Sequence, residues 1–405
     1  MSTTAAASVY RPRHPERTPL YRLFKERFED FVRSYTERFE HRHGQLRPVV
    51  RRVVEQYLEC GRLHGGFARL RCPSCHGEHL LAFSCQTRNF CPSCQAKRAA
   101  LFAEHLAENV LADVPHRHVV FTIPKVLRPL FERERRLLSI LTQSAHHCVQ
   151  EILRHDTGDA RAVVGTVASL QTFGGYAANF HPHVHALITE GVFHPPRSAA
   201  PSVEWVAGWD VSAIAELFRR RVLSRLRQAR RLREHTEQML LSWEHSSFSV
   251  WAGEPIRPDD TERQQHVARY VTRAPVRLDA IERKNQGKVL VQTPYDPRTG
   301  QRTLELDDLE LIRRLCAQIP APRQHLVRYF ESYSSRARGD RARRKSGESG
   351  NGAPLSEVDV RADPEANDDS PAARSRRRSW ARPRESSRAG SSRSTRCSAP
   401  SVASR

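Results

Sequence analysis

Apolar residues recur at three- and four-residue steps from Tyr21 to Leu58: Leu23, Phe28, Phe31, Tyr35 and Phe39, then Val50, Val53, Val54 and Tyr57. Charged residues fill the positions between them, and this spacing predicts amphipathic helix. AKRAALFAEHLAENVLADV repeats the pattern and predicts a helix from about Ala96 to Val114. From His116 the period shortens. HVVFTIP (His118–Pro124) and AVVGTVASLQTFG (Ala162–Gly174) are rich in β-branched residues and read as strands, with a helix from about Pro129 to Arg154 between them. HVHALITEGVF reads as a third strand, joined to the second by GGYAANFHP, a loop length that allows an antiparallel hairpin. Leu217–Trp243 predicts a strongly basic helix. KVLVQTPYDPRTGQRTLEL (Lys288–Leu306) predicts a hairpin turning near Asp296–Gly300, followed by a helix over Asp307–Ala317.

From about Arg336 the apolar positions nearly vanish, and Arg, Ser, Gly, Pro and Ala dominate, so this tail is expected to be disordered. It holds 17 lysines and arginines against 9 acidic residues, which leaves 13 of the +21 net charge to the rest of the chain. A basic excess that is not confined to a tail points to a polyanionic partner, nucleic acid before membrane. No apolar run approaches the roughly 20 residues of a membrane span, and MSTTAAASVYRPRHPER lacks the apolar core of a secretory signal.

Six of the nine cysteines fall between Cys60 and Cys94, which reads as metal binding in a reducing compartment rather than a disulfide framework. Cys72-x-x-Cys75 and Cys91-x-x-Cys94 are separated by fifteen residues. Two such turns supply the four tetrahedral sulfurs of a closed, structural Zn²⁺ site. Cys60 and Cys85 are left over. They pack the ribbon as buried thiols or, with His64, His76 and His79, form a second site.

NFHPHVHALITEG (Asn179–Gly191) places His181, His183 and His185 on one face of a strand, with Val184, Ala186 and Ile188 on the other. Spacing alone fits a metal site and an ordinary strand equally well, and imidazole does not choose among divalent ions. TERQQHVARYVTRAPV reads as a helix capped by Asp260 or Thr261 and stopped by Pro275. Tyr270 lies in its last turns between Arg269 and Arg273, with His266 one turn earlier. A packing role is ordinary for such a tyrosine. Phosphoryl chemistry needs a nucleophile, a cation and positive charge to hold the strand, which these residues can together provide.

The order of zinc ribbon, His-hydrophobe-His strand and helix-borne tyrosine resembles the HUH transposases of the insertion sequence 91 family. The resemblance is carried by CGRLHGGFARLRCPSC, LLAFSCQTRNFCPSCQAKR, HVVFTIPKVLR, SLQTFGGYAANFHPHVHALITEGVF, ARYVTRAPV and PAPRQHLVRYFESY, and spans roughly Cys60 to Gly339. It implies an α+β fold, a small antiparallel sheet flanked by helices and preceded by a helical segment and a zinc ribbon. The implied boundaries are 1–58 for the leader and helical segment, 59–115 for the zinc-binding domain, 116–335 for the catalytic domain and 336–405 for the tail. The implied activity is nicking and joining of single-stranded DNA at mobile-element ends in the bacterial cytoplasm, at the nucleoid. His183 and His185 would bind Mg²⁺ or Mn²⁺, and Tyr270 would form a 5′-phosphotyrosine. Gln171 is the nominee for third ligand, because a hairpin places it beside the histidines. Arg269, Arg273 and the basic helix at Arg219 and Arg220 would hold DNA phosphates.

Two classes compete with this reading. A non-catalytic zinc-ribbon DNA-binding protein accounts for charge and cysteines but leaves Tyr270 and the histidines without a role. A rolling-circle replication initiator or relaxase shares the chemistry, but the zinc ribbon favours the transposase. The chain also departs from the family twice. His266 stands where a second tyrosine is expected, and PRESSRAGSSRSTRCSAPSVASR replaces an expected apolar helix and further cysteines. A shifted reading frame explains the second departure. Translating the other frames past codon 382 should then uncover an apolar helix, and its absence from all of them would refute the shift.

Overall fold

A glycine and a proline divide the N-terminal helical pattern. The computed structural model describes residues 14–345 except 176, 195–202, 206–207 and 298. In it, α1 (Pro19–Tyr35) continues through a π-helical turn and the single-turn α2 (His41–His43) to Gly44, whose φ of +78° ends the run. Pro48 opens α3 (Pro48–Leu58) at its first position, where the missing N–H costs nothing. The hairpin β1 (Phe67–Arg71) and β2 (Glu78–Ala82) follows. Next comes α4 (Pro92–Asn109), which begins earlier than the apolar pattern suggests because Pro92 sits in its first turn.

The main sheet is antiparallel throughout. It takes β3 (His116–Thr122), β4 (Thr166–Phe173) and β5 (Phe180–Thr189) from the middle of the chain. Between β3 and β4 lie α5 (Arg128–Arg133) and α6 (Leu138–Thr157), in place of the single helix expected there. After β5 come the small ribbon β6 (Gly191–Phe193) and β7 (Val203–Trp205), then α7 (Val211–Gln228) and α8 (Glu234–Ser242). These two helices replace one expected basic helix, and Arg230, at φ +57°, lies in the break. The edge strand β8 (Ser249–Ile256) and α9 (Thr261–Val271) follow. A second sheet combines β9 (Ile281–Arg283), β10 (Lys288–Asp296) and β11 (Gln301–Asp307) and leads into α10 (Asp308–Ala317), capped by Asp307. Finally β12 (Val327–Phe330) returns to pair with β4, giving the order β12-β4-β5-β3-β8.

Side-chain alternation makes the main sheet two-faced. Val119, Phe121, Ala168, Leu170, Val184, Ala186 and Ile188 join α6 and α7 in the largest core. The opposite face meets α4 and α9, with Val167 and Leu187 against Ala103, Leu106 and Ala268. The N-terminal helices share a separate core with Cys60, Phe90, Cys91 and Cys94 and with β10 and α10.

The chain beyond Arg336, expected to be disordered, is a helix as far as Lys345: α11 (Ser335–Lys345). Arginine side chains hold it where apolar ones are lacking. Arg338 lies over the Tyr329 ring at 5.0 Å and donates through Nε to the Tyr333 carbonyl. The remaining tail and the proposed frame shift lie outside the described residues. Among the described residues, no helix is long and apolar enough to cross a membrane.

Tyr333 ties β3 to this end of the fold. It is fully buried, its hydroxyl lies 2.5 Å from His116 Nε2, and it accepts from the Ala112 N–H. A Cβ on Gly165 would lie 2.7 Å from the Tyr333 ring and 2.9 Å from Thr189. Gly165→Ala should therefore overpack this junction at a cost of about 1–3 kcal/mol, read as a lower midpoint of thermal unfolding. An unchanged midpoint would show that the ring moves freely.

Candidate active site and metal centres

The β4–β5 hairpin sets Gln171 opposite His183 and Ser169 opposite His185, all facing α9. On the other side of β5, β3 sets Val120 opposite His185 and Thr122 opposite His183. His118, one pleat further along β3, brings its Nε2 to 3.0 Å from His185 Nδ1. Sequence reasoning missed this residue, although HRHVVFT already alternates histidines along a strand.

The hydrogen bonds fix which nitrogens are free. The His183 Nδ1–H donates to the His181 carbonyl at 2.8 Å, so a neutral His183 carries its lone pair on Nε2. That Nε2 lies 3.0 Å from His185 Nε2. If His185 keeps its proton on Nδ1, with His118 Nε2 accepting it, two lone pairs face one point. Ligands at right angles with bonds of about 2.1 Å would stand about 3.0 Å apart, so the pair suits a divalent ion. Burial favours the neutral forms that ligation requires. It pushes His183 down to about 4, His118 to about 4, and His185 to about 2 with help from His183 and His118.

Gln171 supplies a further group. Its Nε2 donates to the carbonyls of Tyr270 (3.1 Å) and Val271 (2.9 Å), while its Oε1 is buried and has no hydrogen-bond partner. An orphaned carbonyl oxygen of this kind fits a hard cation. His181 lies beside His183, 5.1 Å between ring centroids, with a buried Nε2 that lacks a partner and a pKa pushed to about 3 by burial and by Arg128.

Tyr270 reaches this site because its helix is fixed at both ends. Asp260 accepts from the Arg263 N–H and caps the start of α9. At the other end Ser169 Oγ donates to the Val271 carbonyl at 2.9 Å, and Gln95 Nε2 to the Thr272 carbonyl at 2.6 Å. Gln264, Ala268 and Val271 are buried. Tyr270 is 40% exposed, its ring edge-on to His185 at 5.5 Å between centroids, and the Arg273 guanidinium covers the same ring at 4.6 Å. Beside Gln171 a cavity of about 240 Å³ separates the cysteine-rich module from the sheet, and Arg88, Arg98 and Arg273 line it.

The expected phosphate-holding arginines diverge. Arg269 is exposed and donates to Gln265, and Arg220 is exposed and paired with Glu216. Arg219 corrects the expectation: it is 9% exposed, and its Nη2 donates to the carbonyls of Leu240, Leu241 and Trp243. It holds the end of α8 and does not face solvent.

The cysteines also assemble differently from the expected pairing. Cys60, Cys85, Cys91 and Cys94 bring their sulfurs within 4.8 Å of one another. Cys60 lies 3.8 Å from Cys91 and 3.6 Å from Cys94, and Cys85 lies 3.6 Å from Cys94. A tetrahedron of 2.3 Å Zn–S bonds has edges of about 3.8 Å. Mutual hydrogen bonds lower the Cys94 and Cys60 thiols and raise those of Cys85 and Cys91. Cys72 and Cys75 instead sit at the tip of the β1–β2 hairpin, half-buried and exposed. The two CPSC motifs differ because Pro92 begins a helix, which turns Cys91 and Cys94 inward, whereas Pro73 lies in a surface turn. Cys60→Ser or Cys85→Ser should therefore lose bound zinc and lower the unfolding midpoint, while Cys72→Ser and Cys75→Ser keep both. Zinc content measured on the four variants checks this, and the opposite pattern would overturn the assignment.

Comparison with known proteins finds transposases. Residues 28–123 match the transposase zinc-binding domain family, and residues 165–341 match a putative transposase family. A putative transposase of Sinorhizobium fredii is 27% identical over 333 residues, covering 76% of this chain and 80% of that protein. The transposase for insertion sequence element IS801 of Pseudomonas savastanoi pv. phaseolicola is 26% identical over 318 residues, covering 73% of each. No solved structure matches. With the zinc-binding domain ahead of the transposase region in a single chain, this protein belongs to the insertion sequence 91 family of transposases.

Proposed function

We propose that this transposase nicks and joins single-stranded DNA at mobile-element ends through a 5′-phosphotyrosine on Tyr270. The observation that carries the reading is the exposed Tyr270 ring 5.5 Å from His185, whose Nε2 converges with that of His183. Tyr270 Oη attacks the scissile phosphorus as its proton is lost. The new Oη–P bond forms while the P–O3′ bond breaks, and the departing oxygen takes up a proton to become a free 3′-hydroxyl. Attack by another 3′-hydroxyl on the phosphotyrosine reverses these steps and joins the strands.

A Mg²⁺ or Mn²⁺ ion held by His183 Nε2, His185 Nε2 and Gln171 Oε1 would polarise the phosphate and offset its developing charge. His118 keeps His185 in the ligating tautomer. Arg273, stacked on the tyrosine, and Arg269, exposed one residue before it, provide positive charge for the phosphates on either side. The cysteine-held Zn²⁺ is structural, because four thiolates leave it no open position.

The test is an adduct assay. The full chain is incubated with Mn²⁺ and labelled single-stranded oligonucleotides carrying the element ends, and covalent protein–DNA species are counted. Wild type should form an adduct that Tyr270→Phe abolishes, and His183→Ala and His185→Ala should lower its yield steeply. An adduct surviving in Tyr270→Phe would rule out this nucleophile, and none from any end would favour a non-catalytic DNA-binding protein. His118→Ala should cost roughly 10–100-fold in Mn²⁺ dependence or rate, the usual effect of losing a residue that orients a ligand.

A further inference from the structure

Trp251 is 56% exposed on β8, the edge strand of the main sheet. It faces the same side as the histidines, since it pairs with Val120, which pairs in turn with His185. Two strand spacings separate Trp251 from His185, roughly 10 Å across the sheet. The indole meets His118 edge-on at 5.6 Å, and His118 lies 6.5 Å from Tyr270. An aromatic row therefore runs from the nucleophile to the sheet edge.

The backbone beneath the indole is irregular. Arg117 pairs with Pro255 and Val119 with Ala252, so Gly253 and Glu254 together oppose His118 alone. This is a β-bulge, a device that re-aims neighbouring side chains. Arg117 Nη1 fixes it by donating to the Gly253 carbonyl at 2.8 Å. A Cβ at Gly253 would lie 2.7 Å from the indole. The ring thus lies back along its own strand over bare backbone, held against the sheet and open to solvent. A glycine inside a strand commonly marks such a close approach.

We propose that Trp251, seated on Gly253, is a stacking platform for one base of a single-stranded nucleic acid whose backbone passes Tyr270. The inference rests on the nuclease reading given above. A duplex covers both faces of each base with its neighbours, so only a single strand offers a base to an indole face. Such stacking tolerates any sequence, because every base has a π-face. The +21 net charge of the chain supplies the attraction for the backbone.

The test uses the full chain and an oligothymidylate, read by tryptophan fluorescence and by anisotropy of a labelled strand. The single strand should quench wild-type fluorescence, and most of that quenching should vanish in Trp251→Phe while affinity falls only a few-fold. Trp251→Ala should weaken binding by about 5–100-fold. Gly253→Ala, which displaces the ring without removing it, should also weaken binding and reduce quenching. Quenching retained in Trp251→Phe, or wild-type affinity in Trp251→Ala, would overturn the platform. If those results came with a normal Tyr270 adduct in wild type, the nuclease reading would stand without it. Strong Trp251-dependent quenching with no adduct from any end would support the platform and remove the nuclease reading. No binding of oligothymidylate by wild type would overturn the platform and leave the nuclease reading to the adduct assay.

Discussion

The last carbonyls of α9 have no partners within their own helix, and everything about the site depends on what satisfies them. Ser169 and Gln171 on β4 reach up to Val271 and Tyr270, and Gln95 on α4 reaches across to Thr272. A typical hydrogen bond contributes about 1 kcal/mol, while each buried carbonyl left unpaired costs about 1–3 kcal/mol, so the three side chains over-determine where this helix ends. Tyr270 sits in that last turn. The same Gln171 that anchors the helix lies opposite His183 in the β-ladder, so the tyrosine and the imidazole pair are positioned by one side chain.

This explains how a cysteine cluster remote in sequence bears on the site. Cys91 immediately precedes α4 and Cys94 lies in its first turn, which makes Gln95 the next residue after a cysteine of the cluster. Gln95 Oε1 accepts from the Asn89 N–H, and Nε2 is left for Thr272. Aromatic packing supports the arrangement from the other side: Phe90 meets Phe24 and Tyr57 edge-to-face at 4.9 and 5.3 Å. A zinc ion binding these thiolates would stiffen the first turn of α4 and hence the seat of α9. The helical N-terminus, the cysteine module and the end of α9 thus act as one clamp against the histidine face.

How much of this was legible follows from the range of the interactions. The two-residue alternation of β4 and β5 is local, so the shared face of the histidines and the position of Gln171 beside them could be read directly. The helix around Tyr270 was equally legible, since Asp260 and Pro275 bracket it. Sulfur partnership was not local. Cys60, after α3, and Cys85, after β2, meet Cys91 and Cys94 in the core around Phe90, whereas spacing favoured the matched CPSC motifs. Arg219 misled for the same reason: a basic helix reads as a solvated face until α8 folds back and buries one of its arginines. β8 escaped because Gly253 and Pro255 lie within it, and β12 because four residues show too little alternation. His118 carried a local signal, the alternation of His116 and His118, but only the sheet order reveals that its diagonal neighbour is His185.

The helix geometry also bears on His266, where the family resemblance leads one to expect a second tyrosine. His266 stands four residues before Tyr270, about 6 Å further along the axis, and is exposed like it. The carbonyl anchors from β4 act on the last turn, so Tyr270 is held against His185, whereas position 266 lies a full turn away. A nucleophile there would need either the helix or the DNA to slide by that distance. On the proposed reading, replacing it with histidine leaves the anchored position intact and limits the helix to one covalent DNA end at a time. Resolution then falls to an incoming 3′-hydroxyl, which attacks the phosphotyrosine and regenerates the phenol without a second nucleophile from the protein. The chemistry of a single nick and a single joining therefore needs only the tyrosine that the sheet holds in place.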